Sequence, residues 1–326
     1  MPTNLKSLIA VSGPTGAGKS SLAIELARQF SGEVINADSV SVYKGFEVGA
    51  SAVLPSEMNG VTHHLVGSLC PDEDFSAGSF AKIAGDIISD CSLRKKVPFI
   101  VGGTGLYLKA LLNGILKLEK IPSEVLDSVQ SKEDGAGDRA AEVLYSWLTE
   151  VDPDSAEQLH PNDISRIRRA LCVSLSTGNS ISKLQNEHAY SELNYRALVI
   201  ILNPDRDELY ERINKRVEKM FAEGLVSEVK GLLESCSPGV KPLQSIGYRQ
   251  VVSHLRGELS EVEAQSLIAR DTRRFAKRQM TWWRNEPQKC GWTVIDEKTA
   301  DINRVIERFL SYQEPFNDDL VWYLNL

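Results

Sequence analysis

The chain has 326 residues, of which 42% are hydrophobic and 25% are charged, a composition typical of globular proteins rather than disordered ones. No run of 18 apolar residues occurs, which argues against a membrane partner or a membrane-spanning helix. The net charge of −7 argues only weakly against a nucleic-acid partner, because a basic stripe can lie on an acidic protein. Five dispersed cysteines without a C-x-x-C pair fit a reducing compartment, so we expect a cytoplasmic protein.

The first predicted element is a buried strand over residues 5–12, followed by a glycine-bracketed loop and a helix from about Lys19 to Phe30. The loop, "GPTGAGKS", matches the G-x-x-x-x-G-K-[ST] pattern of phosphate loops. In such loops the backbone N–H groups and the helix N-terminus hold an anion, the lysine adds a charge and the hydroxyl binds Mg²⁺. We therefore predict a phosphate site with Mg²⁺ at Ser20, formed by Gly13, Pro14, Thr15, Gly16, Ala17, Gly18, Lys19 and Ser20.

The next predicted strands indicate what kind of phosphate site this is. "EVINADS" reads as a strand that ends near Asp38, a helix capped by Ser76 follows, and "VPFIVGG" reads as a third strand. A nucleotide hydrolase needs a strand-end aspartate to hold Mg²⁺, but the third strand ends in Gly102 and Gly103. Asp38 is left to assist a metal or to accept a proton, and the residues alone leave both roles open. The turn "GGTGLY" is predicted to form a second wall of the site.

Strand patterns disappear between Pro122 and Asn194, where "EVLDSVQ", "GDRAAEVLYSWLTEV" and "NDISRIRRALCVSLSTG" read as helices, the first two separated by "KEDGAG". "YRALVII" and "GWTVID" then restore strands, each followed by a helix. Such alternation predicts an α/β fold, a P-loop-containing parallel sheet flanked by helices, with an all-helical insertion domain. The predicted divisions are 1–121 and 195–312 for the two parts of the core, 122–194 for the insertion, and 313–326 for a tail.

A long helix is predicted from about Ser260 to Arg284. At 100° per residue, one face carries Phe275, Ala276, Trp282 and Trp283, and we expect it to pack on the core. The opposite face is suited to a polynucleotide backbone, because it gathers Arg270, Arg273, Arg274, Lys277, Arg278 and Arg284. "SRIRR" at 165–169 adds a second basic cluster in the insertion. A phosphate loop combined with two basic patches favours an enzyme that modifies a nucleic acid.

Several ordered motifs carry a resemblance to a known family, among them "GPTGAGKSSLAIELA", "VINADSVSVYKGFEVG", "PFIVGGTGLYLKAL", "ERINKRVEKMFAEGLVSEV", "SIGYRQ" and "TRRFAKRQMTWWR". Over residues 8–284 the chain resembles the bacterial tRNA dimethylallyltransferases, also called tRNA isopentenyltransferases. The resemblance implies transfer of a dimethylallyl group from dimethylallyl diphosphate to N6 of the adenosine at position 37, 3′ of the anticodon. The phosphate loop would then hold the diphosphate of this donor.

The resemblance also implies residue roles. Asp38 would be the general base, while Lys19, Arg216 and Ser20 with Mg²⁺ would hold the departing diphosphate. Contacts with the anticodon stem-loop of tRNA, by a monomeric enzyme, would come from Asp38, Ser39, Val40, Ser41, Thr104, Ser165, Arg166, Arg168, Arg169, Gly247, Tyr248, Arg249, Lys277, Arg278, Gln279, Trp282 and Arg284. Two departures from the family pattern lie close to these residues. "VGASAVL" at 48–54 lacks the Thr and Lys of the family's frequent "GTAKP", and "DSVSVY" at 38–43 lacks a common Gln.

Three other functions compete with this interpretation. An adenylate isopentenyltransferase would use free AMP, ADP or ATP as its acceptor, and the basic C-terminal helix and "SIGYRQ" would then be idle. A small-molecule kinase would need the missing strand-end aspartate. A non-enzymatic RNA-binding protein would have no use for Lys19, Ser20 and Asp38 together.

Overall fold

The computed structural model describes residues 5–116, 121–188, 193–237, 239–296, 298 and 301–311, so the predicted tail at 313–326 lies outside the described residues. The chain divides into two compact units, one formed by Met1–Gly114 with Leu193–Leu326 and the other by Ile115–Glu192. The insertion predicted at 122–194 overlaps the second unit, and its role stays a prediction. None of the described helices is both long and apolar enough to span a bilayer.

The first unit is built on a six-stranded sheet with all neighbours parallel, in the order β3-β2-β4-β1-β5-β6. The predicted parallel sheet flanked by helices is therefore confirmed. Its strands are β1 (Ser7–Ser12), β2 (Gly32–Asn36), β3 (His63–His64), β4 (Val97–Gly102), β5 (Arg196–Ile201) and β6 (Thr293–Asp296). The two-residue strand β3 was not predicted, because two histidines carry no strand pattern.

Alternate residues of the strands point to opposite faces, so each face has its own core. Leu8 and Ala10 of β1 pack with α2 (Ala77–Leu93) and α3 (Gly105–Asn113), while Ile9 and Val11 pack with α1 (Lys19–Gln29). All four side chains are fully buried. A central parallel strand covered on both faces must be apolar along its length, which is why "LIAV" precedes the phosphate loop.

The second unit contains only helices among its described residues: α4 (Ser123–Ala136), α5 (Ala140–Val151), α6 (Pro153–Gln158), α7 (Ile164–Thr177) and α8 (Ile181–His188). The prediction that "KEDGAG" separates two helices was wrong for most of that stretch, because α4 continues through it to Ala136. Gly137, whose φ is +52°, then caps the helix. The short helices α6 and α8 were missed. Asp152 holds them, accepting bonds from Ser155 N at 3.0 Å and Ile181 N at 3.2 Å.

The remaining helices return to the first unit: α9 (Arg206–Ala222), α10 (Leu225–Ser235), α11 (Tyr248–Leu255), α12 (Glu261–Lys289) and α13 (Ile302–Ser311). Ser260 caps α12, and its hydroxyl accepts from Glu263 N at 3.3 Å. The helix continues past the predicted end at Arg284, with Pro287 in its last turn. The chain leaves this unit after α3 and returns beside it, where Asn194 N donates to Leu112 O at 2.8 Å.

Candidate functional site

The carboxyl ends of β1, β2, β4 and β5 lie along one edge of the sheet. The phosphate loop follows β1, Asp38 follows β2, and Gly103 follows β4. The chain order of the strands reverses at β1, whose neighbours are β4 on one side and β5 on the other. Ligands of open α/β sheets bind at such a reversal, because the loops on its two sides diverge and leave a crevice. The predicted second wall at the glycine turn therefore has the topology it requires.

The phosphate loop adopts a backbone that depends on its glycines. Gly16 and Gly18 have φ values of +81° and +94°, in the left-handed region. A Cβ at Gly13 would stand 2.5 Å from the carbonyl oxygen of Leu202 after β5. Helix α1 begins immediately afterwards at Lys19, and the Ser20 side chain in its first turn is exposed. The N-terminus of α1 therefore points to the carboxyl edge of the sheet, as it would in an anion site.

Lys19 is held against the loop that it follows. Its Nζ donates to Pro14 O at 2.7 Å. Burial and, to a smaller extent, the charge of Arg216 lower the pKa of Lys19 to about 8, against the opposing charge of Asp38. A lysine in this state gains most from an anionic ligand, which replaces the lost water and restores the pKa.

Arg216 reaches the same site from α9. Its Nη1 donates to Thr15 Oγ1 at 3.3 Å, its Nε to Ser51 Oγ at 2.7 Å, and its Nη2 to Ala50 O at 3.0 Å. Burial lowers the pKa of Arg216, and the charge of Asp38 raises it. The guanidinium is thus positioned between the phosphate loop and the segment at 50–51. The sequence did not predict Ala50 or Ser51 as partners, because they lie more than 160 residues from Arg216.

Asp38 is half-buried and forms a tight turn of its own. Its Oδ1 accepts from Val40 N at 2.8 Å and from Ser41 N at 3.1 Å, which orients the carboxylate after β2. Its charge acts on the pKa values of both Lys19 and Arg216, so the three side chains share one electrostatic environment. One carboxylate and two poorly solvated cations therefore meet at the phosphate loop.

The glycine turn after β4 accommodates helix α12. A Cβ at Gly103 would stand 2.5 Å from Gln279 Nε2, and one at Gly105 would stand 2.3 Å from the Trp282 ring. Gln279 donates from Nε2 to Gly103 O at 3.0 Å and accepts at Oε1 from Thr15 N at 2.8 Å. One amide thus joins the phosphate loop, the glycine turn and α12.

Gln279 requires a correction to the predicted tRNA contacts, because its side chain is buried and both ends of its amide are bonded within the protein. Tyr248 is fully buried, Gly247 is buried beside it, and Ser41 is buried with its hydroxyl bonded to Asn36 Nδ2 at 2.9 Å. For these four residues we replace direct tRNA contact with a supporting role. Helical periodicity already placed Gln279 about 180° from Arg270, which is the signal that the predicted contact ignored.

The basic face of α12 is narrower than predicted. Arg270 is paired with Asp271 at 3.0 Å, and Arg273 is half-buried and donates to Asn214 Oδ1. The basic residues of this face that are exposed and form no ion pair among the described residues are Arg274, Lys277, Arg278 and Arg284, which we call the basic stripe. The predicted packing of the aromatic face holds for Trp283, which is buried, and for half-buried Trp282. It was wrong for Phe275, which is 38% exposed and lies under the Arg278 guanidinium.

The side chains of the other predicted tRNA contacts are exposed to solvent to different extents. Arg249 is exposed and pairs with Asp271 at 3.1 Å. Ser39 is exposed, while Val40 and Thr104 are half-buried, the latter at the start of α3. In the second unit, α7 exposes Ser165, Arg166 and Arg169, while Arg168 Nε donates to Glu133 Oε2 at 2.8 Å.

Among the described residues, one group has side chains arranged to hold a metal: Glu33, His64 and Cys91. Arg94 Nη2 and His64 Nε2 already bind the Glu33 carboxylate, each at 2.8 Å. Burial raises the pKa of the Cys91 thiol to about 11, which disfavours the thiolate that a metal needs. Glu33 is the second residue of β2, away from the carboxyl edge, so this cluster connects β2 with β3 and α2 and is separate from the phosphate loop.

The comparisons with known proteins agree over most of the chain. The sequence model of the IPP transferase family matches residues 41–286, and that of isopentenyl transferase matches residues 6–68. A tRNA dimethylallyltransferase 2 from Geotalea uraniireducens strain Rf4 is 44% identical over 308 residues, which cover 93% of this chain and 97% of the relative.

Solved structures resemble this one, among them the following two. The tRNA delta(2)-isopentenylpyrophosphate transferase of Staphylococcus epidermidis has a TM-score of 0.63 and 34% identity, covering 94% of this chain and 97% of its own. A eukaryotic dimethylallyltransferase acting on tRNA has a TM-score of 0.79 and 29% identity, covering 96% of this chain and 81% of its own. Each similarity extends through nearly the whole chain.

Proposed function

The chain belongs to the IPP transferase family and is a prenyltransferase, and on that premise we propose that it transfers a dimethylallyl group from dimethylallyl diphosphate to N6 of adenosine 37 in tRNA. The products are N6-isopentenyladenosine and diphosphate. The proposal includes the anticodon stem-loop as the part of tRNA that is bound. It also includes a monomeric enzyme that acts in the cytoplasm.

The observation that carries this proposal is the group formed by Lys19, Arg216 and Asp38 at the phosphate loop. Two desolvated cations beside an anion site suit a diphosphate, and burial makes each of them favour an anionic partner. A phosphoryl-transfer enzyme needs carboxylates to hold its metal, whereas β4 ends in glycines that pack against α12. The loop is therefore better suited to hold a leaving diphosphate than to donate a phosphoryl group.

The proposed reaction makes one bond and breaks one. The bond between the allylic carbon and the diphosphate oxygen breaks, and its electron pair stays on that oxygen. The N6 nitrogen forms the new bond to carbon, and Asp38 accepts the N6 proton. Lys19 and Arg216 stabilise the negative charge that grows on the departing oxygen, which is the main catalytic demand when the carbon can carry positive charge.

Magnesium fits this site through Ser20 and the ligand. The Ser20 hydroxyl is exposed at the start of α1, and Mg²⁺ commonly combines one protein oxygen with phosphate oxygens and water. Bound there, Mg²⁺ would supply further charge neutralisation to the diphosphate.

The tRNA side of the proposal depends on the basic stripe of α12. Arg274, Lys277, Arg278 and Arg284 are exposed on one face, as binding to successive phosphates requires. The target adenosine has to leave its base stack to reach Asp38. This extrusion costs a few kcal/mol, and the cost is smallest for a base in an unpaired loop. The exposed arginines Arg166 and Arg169 of α7 are the proposed contacts in the second unit.

A single assay separates this function from its alternatives. Purified protein receives labelled dimethylallyl diphosphate with an unmodified anticodon stem-loop, with AMP, or with no acceptor. We expect label on the stem-loop and none on AMP. Transfer to AMP and not to the stem-loop would instead identify an adenylate isopentenyltransferase, and phosphorylation of an acceptor by ATP would identify a kinase.

Asp38→Asn tests the proposed base, because asparagine keeps an oxygen for the N–H groups of Val40 and Ser41 but cannot accept the proton. We expect kcat to fall by about 10²–10⁴-fold, the usual range for a lost general base, with stem-loop affinity unchanged. Asp86→Asn, an exposed aspartate on α2, is the matched control. Unaltered turnover of the Asp38 variant would assign the proton to another group.

A further inference from the structure

The segment at 47–50 has four consecutive backbone N–H groups that bind two side chains. Glu228 of α10 accepts from Glu47 N at 3.0 Å, Val48 N at 2.6 Å and Gly49 N at 3.0 Å. The fourth, Ala50 N, donates to Tyr248 Oη at 3.1 Å. The Tyr248 hydroxyl in turn donates to Glu228 Oε1 at 2.8 Å. This segment belongs to no strand or helix, so Glu228 and Tyr248 supply the partners that regular structure would provide.

The same segment bonds to Arg216 with its next polar groups. Ala50 O and Ser51 Oγ accept from the guanidinium at 3.0 and 2.7 Å, and the remaining nitrogen reaches Thr15 Oγ1 in the phosphate loop. A continuous series of hydrogen bonds therefore leads from Glu228 through the segment to Arg216. The hydrogen bonds of Glu228 go to the segment and to Tyr248, so its effect on the phosphate loop passes through the segment.

The contact between the segment and α11 is close. A Cβ at Gly49 would stand 2.5 Å from the Tyr248 ring, and the ring of Phe46 lies 4.7 Å from that of Tyr248, centroid to centroid. Tyr248 is fully buried, and burial together with the Glu228 charge raises its pKa, so its hydroxyl stays protonated and can donate. The segment is thus held by packing on one side and by a carboxylate at its N–H groups.

We propose that Glu228 is a positioning residue for the transfer reaction: through the segment at 47–51 it holds the Arg216 guanidinium in the orientation that binds the diphosphate. The inference rests on the proposed function of Arg216. Three N–H bonds to one carboxylate are charge-assisted, and such bonds are roughly twice as strong as neutral ones. Removing the charge frees the segment, and Arg216 then loses two of its three protein partners.

Glu228→Gln tests this inference, because one carboxylate oxygen becomes an NH₂ group that cannot accept from the segment. We expect about tenfold weaker binding of inorganic diphosphate by calorimetry and about tenfold lower kcat, with unchanged stem-loop affinity. Glu234→Gln, an exposed glutamate on the same helix, removes the same charge and is expected to match the wild type. Equal diphosphate binding by the Glu228 variant and wild type would overturn the inference.

A double-mutant cycle separates positioning from general destabilisation. If Glu228 acts through Arg216, then Glu228→Gln adds less than twofold to the loss of diphosphate affinity already caused by Arg216→Ala. Additive losses would overturn the inference.

Should the Glu228 variant fail to fold, Tyr248→Phe removes only the hydroxyl between Glu228 and Ala50 N, and we expect it to weaken diphosphate binding about threefold. Wild-type protein that binds diphosphate but transfers no label would refute the proposed function and leave this binding test valid.

Discussion

Lys19 and Arg216 are two cations that lie in one poorly solvated site, where burial lowers the pKa of each. Burial is the main cause of both pKa shifts, and the negative charge of Asp38 opposes them. The desolvation of the two cations costs free energy, and a bound anion offsets this cost. Anion affinity at this edge of the sheet therefore depends on the protonation of Lys19 as well as on the glycine loop.

This dependence gives a pH prediction. A lysine whose pKa is lowered to about 8 releases its proton as the pH rises through that value, so inorganic diphosphate binding should weaken above pH 8 by up to about tenfold per pH unit. Calorimetry between pH 7 and 10 measures this dependence. Lys19→Arg is the control, because arginine stays charged and the titration of the ligand affects both proteins equally. Parallel pH profiles for the two proteins would contradict the prediction.

Local sequence was sufficient to predict Lys19, Ser20 and Asp38, because the phosphate loop and a strand end are local patterns. Arg216 came only from the family resemblance, since nothing in "NKRVEKMF" marks one arginine. Glu228 was not predicted at all. Its partners at 47–49 lie about 180 residues away, and a glutamate in "LVSEV" has the pattern of an ordinary helix surface.

Helix α12 has two functions on two faces. Gln279 and Trp282 pack on the phosphate loop and glycine turn, while the basic stripe faces solvent. The helix itself was predictable from its capping residue and its amphipathic period. The exposure of Phe275 was not, because periodicity gives the direction of a side chain but not the width of the surface that covers it.

The basic stripe leads us to a prediction about how stem-loop affinity depends on salt concentration. Paired alanine substitutions at Arg274 and Lys277 remove two phosphate partners, so stem-loop affinity should fall and the slope of log K against log salt should decrease by about 1.5. Binding titrations at four salt concentrations measure the slope. Arg28→Ala with Lys82→Ala, two exposed cations on α1 and α2, gives the same change of charge outside the stripe. A change confined to the KM for dimethylallyl diphosphate would show that the stripe serves the donor.

The whole molecule consists of a unit that holds the phosphate loop and a helical unit encoded within it. The two points at which the chain leaves and re-enters the first unit are neighbours, since Asn194 N bonds to Leu112 O at 2.8 Å. The parallel sheet was predictable because every long strand is an apolar run. The limits of the second unit were harder to predict, because its surface helices are rich in charge and its short helices depend on the distant caps of Asp152.

Because the chain leaves and re-enters the first unit at neighbouring points, we predict that the helical unit can be removed without unfolding the first unit. Replacement of residues 115–192 by a short Gly-Ser linker should leave a protein that unfolds cooperatively and binds inorganic diphosphate like the wild type. We expect its stem-loop affinity to fall, because Arg166 and Arg169 are removed. Thermal unfolding and calorimetry on the deletion variant measure both properties. Loss of cooperative unfolding would show that the first unit needs the second.

The position of β1 between β4 and β5 also has a consequence for protein synthesis. Once residues 1–114 have left the ribosome, β1 can pair with β4, but its other edge waits for β5 at Arg196–Ile201. The intervening unit takes roughly 4 to 16 seconds to translate at 5–20 residues per second. During that interval the apolar strand β1 has an unpaired edge, which is a template for association with other chains. The nascent chain is therefore most exposed to aggregation, and most in need of a chaperone, while its helical unit is being made.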